Sequence, residues 1–189
     1  MENFPKLILL FSGKRKSGKD FITDKLKDIL GDQCEILKIS APIKEYFAKS
    51  LNLDLNLLMS EKPNKEEVRL EMIKWSEMKR SENPGCFCEI TCNKAKPVEI
   101  WIVSDIRRKT DISWFYDTYQ NKVKTIRIST DLDIREKRGF QFEKGIDDAE
   151  SECDLDQYKN WDLDVTNNDS ITCEKSIKEI LELININIL

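Results

Sequence analysis

The octapeptide Gly13-Lys14-Arg15-Lys16-Ser17-Gly18-Lys19-Asp20 sets two glycines around a basic stretch and follows Gly18 with a lysine. Glycines so spaced let a backbone fold into a concave nest of N–H groups, and a lysine after the second can reach the outer phosphates of a nucleotide. Asp20 stands where this pattern usually has the Ser or Thr whose hydroxyl holds Mg²⁺. The competing reading is a solvated basic turn. The apolar run Leu7–Ser12 before the loop and the helical spacing of Phe21, Ile22, Leu26, Ile29 and Leu30 after it supply the strand–loop–helix context that the motif needs.

A second constellation is Ile100-Trp101-Ile102-Val103-Ser104-Asp105 with Arg107, Arg108 and Lys109 behind it. Asp105 is predicted at the C-terminal end of a strand, where open α/β sheets bind ligands and where an acidic residue can hold Mg²⁺ directly or through water. Guanidinium groups beside it can grip phosphate oxygens bidentately. A third cluster is Arg135, Lys137 and Arg138. Arg135 and Arg138 share a face of a predicted short helix, Asp131–Lys137, and Gly139 and Gly145 suit a mobile cover over about residues 131–146. Each cluster could instead be a solvated surface. The chain has no histidine, which excludes histidine acid–base catalysis. An acceptor that is itself a phosphate fits this absence, because its oxygens are ionised near neutral pH and the task left is to neutralise two repelling anions.

These groups need a scaffold. Strand-like runs at Leu7–Ser12, Glu35–Ile39, Val98–Val103 and Val123–Ile128, with a shorter piece at Leu163–Val165, alternate with helical segments. The fold class expected is α/β, a three-layer α/β/α arrangement around a mostly parallel sheet in a single domain over residues 1–189. A helical insert spans about residues 40–97 and could hold a substrate. In it Val68, Met72, Trp75 and Met78 are expected to pack on one helix face, with Pro84-Gly85 ending the helix. The acidic run Asp147–Glu152 reads as a helix start, and Ile177, Ile180, Leu181 and Ile184 read as core packing of a terminal helix.

With 189 residues, 40% hydrophobic and 35% charged, the chain has the composition of an ordinary globular domain. A net charge of −4 argues against bulk nucleic-acid binding. No apolar run approaches the roughly 20 residues that span a bilayer. The absence of a credible secretory core or peroxisomal ending makes cytoplasm the expected location, with the six cysteines reduced. Cys86, Cys88 and Cys92 lack paired Cys-x-x-Cys spacing, so structural zinc is not expected.

Taken together, the motifs resemble the animal-type phosphomevalonate kinases, P-loop enzymes with a nucleoside-monophosphate-kinase-like fold. The resemblance rests on Leu9–Asp20, Ser40-Ala41-Pro42-Ile43-Lys44-Glu45, Met72-Ile73-Lys74-Trp75, Val103–Arg108 and Asp147–Cys153, with Ala41 and Phe140 as small departures. It implies transfer of the γ-phosphoryl of ATP, with Mg²⁺, to 5-phosphomevalonate. By position it implies ATP contacts from Lys14, Arg15, Lys16, Ser17, Gly18, Lys19, Asp20, the lid arginine Arg138 and Asn168. It implies acceptor contacts from Lys44, Arg80, Arg107, Arg108, Arg127 and Asn167. Lys19, Asp20, Arg107 and Arg108 would serve catalysis, and Asp20 and Asp105 the metal. The expected partners are small molecules only, with the chain acting as a monomer. Three alternatives stay open: another small-molecule or nucleotide kinase on this fold, a nucleotide-binding module without catalysis, and a GTP switch, which the absence of an Asn-Lys-x-Asp string disfavours.

Overall fold

A computed structural model describes residues 4–51 and 64–188, with residues 50, 51 and 64–68 described by backbone alone. The chain runs β1 (Leu7–Ser12), α1 (Lys19–Leu30), β2 (Cys34–Leu37), α2 (Ser40–Leu51), α3 (Asn64–Glu82), α4 (Cys86–Asn93), β3 (Ile100–Val103), α5 (Lys109–Tyr119), β4 (Val123–Ser129), α6 (Leu132–Lys137), α7 (Glu150–Cys153), β5 (Leu163–Thr166) and α8 (Ser170–Ile188).

All five strands pair in parallel in the order β2-β3-β1-β4-β5. β1 and β3 are buried along their whole length, which accounts for their unbroken apolar sequences, since a parallel sheet is covered on both faces. Alternation along β1 divides the core. Leu7, Leu9 and Phe11 face Ile22 and Leu26 of α1 and Ile180 and Ile184 of α8. Ile8 and Leu10 face Phe87 of α4 and Ile112 and Phe115 of α5. The result is the expected three-layer α/β/α arrangement. Because β1 lies between β3 and β4, the crossover from β1 runs to β2 on one side and the crossover from β3 passes over β1 to β4 on the other, opening a crevice at the C-terminal end of β1, where Gly13 begins.

Two helix faces differ from their sequence reading. On α1, Ile22 and Leu26 are buried and Leu30 packs on the core, but Phe21 and Ile29 are more than half exposed. On α3, Met72 and Trp75 pack against Phe47 and Ala48 of α2, Met78 is half exposed, and the side chain of Val68 lies outside the described residues. The inward stripe of α3 is Arg69, Met72, Ile73, Ser76 and Arg80, at helical spacing. Its first four residues line a cavity and the stripe carries polar groups, so apolar periodicity alone misplaces it by about one residue's rotation. The six cysteines are free thiols, and Cys88 and Cys92 of α4 point into the core. Burial pushes the Cys92 thiol up to about 11.

Candidate active site

The loop after β1 is shaped by two residues in the left-handed region, Lys16 (φ 62°) and Gly18 (φ 80°). At Gly18 a Cβ would sit 2.2 Å from Asn167 Nδ2, and at Gly13 one would sit 2.9 Å from the carbonyl oxygen of Ile128. Both positions therefore require the absence of a side chain. The carbonyl of Ser17 accepts three hydrogen bonds, from Asn167 Nδ2 (2.8 Å), Thr130 Oγ1 (3.0 Å) and Arg138 Nη1 (3.2 Å). The Arg15 carbonyl accepts from Arg135 Nε at 2.8 Å. Arg135 of α6 and Arg138 just past its end thus rest on loop carbonyls. Ser17 Oγ is buried with no hydrogen-bond partner, an orphaned polar atom inside a loop built to receive anions. The cradle fits a nucleotide phosphate.

Not every basic residue of the loop faces that cradle. Lys14 Nζ donates to the Glu152 carbonyl at 2.6 Å and pairs with Asp156 at 2.7 Å. Arg15 pairs with Asp147 at 3.0 Å and lies near the Phe140 ring, whose closer cation is Arg135 at 4.1 Å from the centroid. In this structure carboxylates of the segment after α6 hold the charged ends of Lys14 and Arg15. Lys16 is exposed.

Lys19 opens α1 and is largely enclosed. Burial holds its ammonium below the ordinary lysine range, opposed by Asp20 and Asp105 and reinforced by Arg107 and Lys38. Asp20 is two-thirds exposed and lies 3.9 Å from Lys19 and 3.7 Å from Lys38. Lys38, just past β2, was not singled out in the sequence, because it falls inside the run Glu35–Ile39 read there as a strand. Asp105 is buried and accepts N–H groups of Ile39 (2.7 Å) and Ser40 (2.9 Å), one on each oxygen, fixing the start of α2. Each oxygen keeps a further lone pair. Asp20 and Asp105 thus offer the hard oxygen donors that suit Mg²⁺. Among the described residues no group of three or more His, Cys, Asp or Glu gathers.

A cavity of about 170 Å³ lies beside this cluster, between the start of α2, α3 and α7. Lys44, Arg69 and Arg107 supply cations, Ser40, Ser76 and Ser151 supply hydroxyls, and Ile43, Met72 and Ile73 supply an apolar wall. Arg69 is a second residue that the sequence reading missed. Its spacing to Met72, Ile73 and Ser76 was the available signal.

Four residues implied to touch the acceptor lie outside this cavity. Arg80 pairs with the fully buried Asp111, across from Phe87. Arg108 is buried between Glu77 and Glu150. Arg127 donates to Ser12 Oγ at 2.9 Å and lies near Asp156. For all three the reason is the same: a buried guanidinium takes the nearest carboxylate or hydroxyl. Asn167 lies on the loop, in a second cavity of about 610 Å³ with Gly18, Phe21, Lys25, Arg138 and Cys173. Asn168 pairs reciprocally with Asp131, its Nδ2 donating at 2.8 Å and its Oδ1 accepting the Asp131 N–H at 3.0 Å, which ties the start of α6 to the end of β5.

Comparisons with known proteins agree with this geometry. The profile of the family described as "Phosphomevalonate kinase" matches residues 11–122. A Drosophila melanogaster protein named "Phosphomevalonate kinase" is 41% identical over 172 residues, covering 88% of this chain and 91% of that protein. Among solved structures, the shikimate kinase from Acinetobacter baumannii in complex with shikimate superposes with a TM-score of 0.52 at 12% identity, covering 98% of this chain and 96% of its own. A gluconokinase from Sinorhizobium meliloti 1021 superposes with a TM-score of 0.51 at 10% identity over the whole of both chains. These two likenesses speak for the fold. With the phosphate loop, the strand order and the sequence match all pointing the same way, the chain belongs to the phosphomevalonate kinase family.

Proposed function

We propose that this protein transfers the γ-phosphoryl group of ATP to (R)-5-phosphomevalonate, giving (R)-5-diphosphomevalonate and ADP in the mevalonate route to isoprenoids and sterols. The observation that carries the reading is the junction of two anion sites: the phosphate cradle at Gly13–Asp20 meets the cavity of Lys44, Arg69 and Arg107, with Lys19 and Arg107 electrostatically coupled at their boundary. An acceptor with a phosphate at one end, a carboxylate at the other and a branched hydroxylated carbon between them matches a cavity with three cations, three hydroxyls and an apolar wall.

In this reading the loop holds the ATP phosphates and Ser17 Oγ donates to one of their oxygens. Lys19 bridges to the transferred group, and its partial burial makes its charge more effective there than in water. Arg107, with Lys44 and Arg69, orients the acceptor phosphate, and the nucleoside lies in the larger cavity beside Phe21 and Asn167. Asp20 and Asp105 are the residues that would hold Mg²⁺, which would supply charge neutralisation of the phosphates. The acceptor oxygen is already ionised, so no residue needs to remove a proton, and catalysis is positioning plus electrostatics. Arg138 and Arg135 reach the loop from α6 and would cover the transferring group by exchanging carbonyls for phosphate oxygens. Both anion sites are assembled from one chain, which supports a monomer as the working unit. No helix among the described residues is long and apolar enough to cross a membrane, and the substrates are small and polar, which supports action in the cytosol.

The test is an acceptor panel with purified protein, ATP and Mg²⁺. ADP should form with 5-phosphomevalonate and at no comparable rate with AMP, CMP or UMP. The reverse preference overturns the acceptor, and ATP binding without turnover on any acceptor overturns catalysis.

A further inference from the structure

The acceptor cavity contains an anion of its own. Glu152 of α7 projects its carboxylate between two of the three cations, ion-paired with Arg107 Nη1 and lying 3.8 Å from Arg69 Nη2. Its side chain is 6% exposed. We infer that Glu152 is a specificity-determining residue: its carboxylate occupies the Arg69–Arg107 pair until a doubly charged phosphate takes the pair over, and singly charged anions are turned away. This rests on the reading of the cavity as the acceptor site.

The backbone around Glu152 is fixed from both sides. Its carbonyl accepts from Lys14 Nζ at 2.6 Å, and its N–H donates to the Ala149 carbonyl at 2.9 Å. Holding the main chain leaves the side chain as the part that must yield. A carboxylate ligand brings the same single charge as Glu152, but it must surrender its freedom of motion on binding, whereas Glu152 is tethered at an effective concentration on the order of millimolar or more. The tethered group therefore wins. A phosphate monoester brings about two charges at neutral pH and three acceptor oxygens. It can satisfy both guanidinium groups at once, and its second charge repels the Glu152 carboxylate as it arrives. Displacement is thus open to the phosphate end of the acceptor and closed to the carboxylate end, which also fixes which way round the molecule enters. The contact from Lys14 makes the same residue a neighbour of the donor loop.

The experiment is equilibrium titration of 5-phosphomevalonate, mevalonate and inorganic phosphate into wild-type protein, Glu152→Gln and Glu152→Asp. In Glu152→Gln, affinity for mevalonate, whose carboxylate is singly charged, should rise by about tenfold, the size of one charge-assisted hydrogen bond no longer competing, while affinity for 5-phosphomevalonate and for inorganic phosphate should change far less. The preference for phosphomevalonate over mevalonate should shrink accordingly. Glu152→Asp keeps the charge but withdraws it, and should move the same way by less. An unchanged preference, or weaker binding of all three ligands, overturns the inference, because a merely structural ion pair would give that result. So would failure of both variants to fold, judged by thermal unfolding. If wild-type protein does not bind phosphomevalonate while Glu152→Gln still gains affinity for mevalonate through its carboxylate, the acceptor assignment falls and the gating of the cavity by Glu152 stands.

Discussion

Arg80 and Asp111 form an enclosed ion pair between α3 and α5, Nη1 to Oδ1 at 2.5 Å, with side chains 12% and 1% exposed. Asp111 also accepts the backbone N–H groups of Arg108 (3.2 Å) and Arg107 (3.4 Å), and the Cys88 thiol lies 3.6 Å away. The pair therefore holds the turn that delivers Arg107 to the cavity.

Removing one partner strands the other. Arg80→Met and Asp111→Asn should each lower stability by about 3–5 kcal/mol, because an uncompensated buried charge or a broken polar hub costs that much. The double variant should lose less than the sum of the two, since the stranded charge is gone. Urea unfolding of the four proteins checks the cycle. An Arg80→Met protein of unchanged stability that had lost only acceptor affinity would instead make Arg80 a substrate contact.

Lys19 separates catalysis from stability. Lys19→Met should cut turnover at least about 100-fold, as expected on loss of a main charge-stabilising donor. The same variant should be no less stable than wild type, because burial disfavours the ammonium in the folded chain. The sign follows from linkage. Between the lowered folded value and the ordinary 10.5, the unfolded chain binds more protons, so wild-type stability should rise with pH in that window. Denaturation midpoints measured across alkaline pH should show this slope in wild type and less of it in Lys19→Met.

Gly18→Ala tests the loop at its tightest point. The positive φ costs a side chain about 1–2 kcal/mol, and the new methyl would strike Asn167 Nδ2. Stability and ATP affinity should both fall. Adding Asn167→Ala should relieve the collision but leave the backbone penalty, so a partial recovery of ATP affinity is expected by titration.

The local parts of this arrangement were readable in the sequence. Strand β1, the loop and α1 follow one another within about two dozen residues, so their order alone carried the inference, and the other strands fell within a few residues of their apolar runs. What composition hid was partnership. Nothing in Arg80 or Arg108 announces that Asp111 and Glu77 claim them, because those contacts join elements far apart in the chain. The partners of Lys14 and Arg15 were hidden for the same reason, their carboxylates lying more than 120 residues on. Arg69 and Glu152 escaped notice because each sits on a stretch read for helix formation, and the face each presents is set by packing.

The acceptor side has its own signature. Lys44→Met and Arg69→Met should raise KM for phosphomevalonate by about tenfold or more, since each removes a charge-assisted contact. KM for ATP should change far less, as both residues line the smaller cavity and neither lines the one beside Gly18. Steady-state kinetics with each substrate varied in turn gives the comparison, and equal changes in both KM values would contradict the division of the site.

The carbonyl of Ser17 takes its three donors from Thr130, Arg138 and Asn167, which lie 113, 121 and 150 residues later in the chain. During synthesis the glycine loop leaves the ribosome more than a hundred residues ahead of the groups that fix its shape. A nascent chain released before Asn167 carries the complete loop motif without the means to hold it in place. Affinity for nucleotide should therefore emerge late in translation, and a truncated product ending before β5 would carry the sequence of the site without its function.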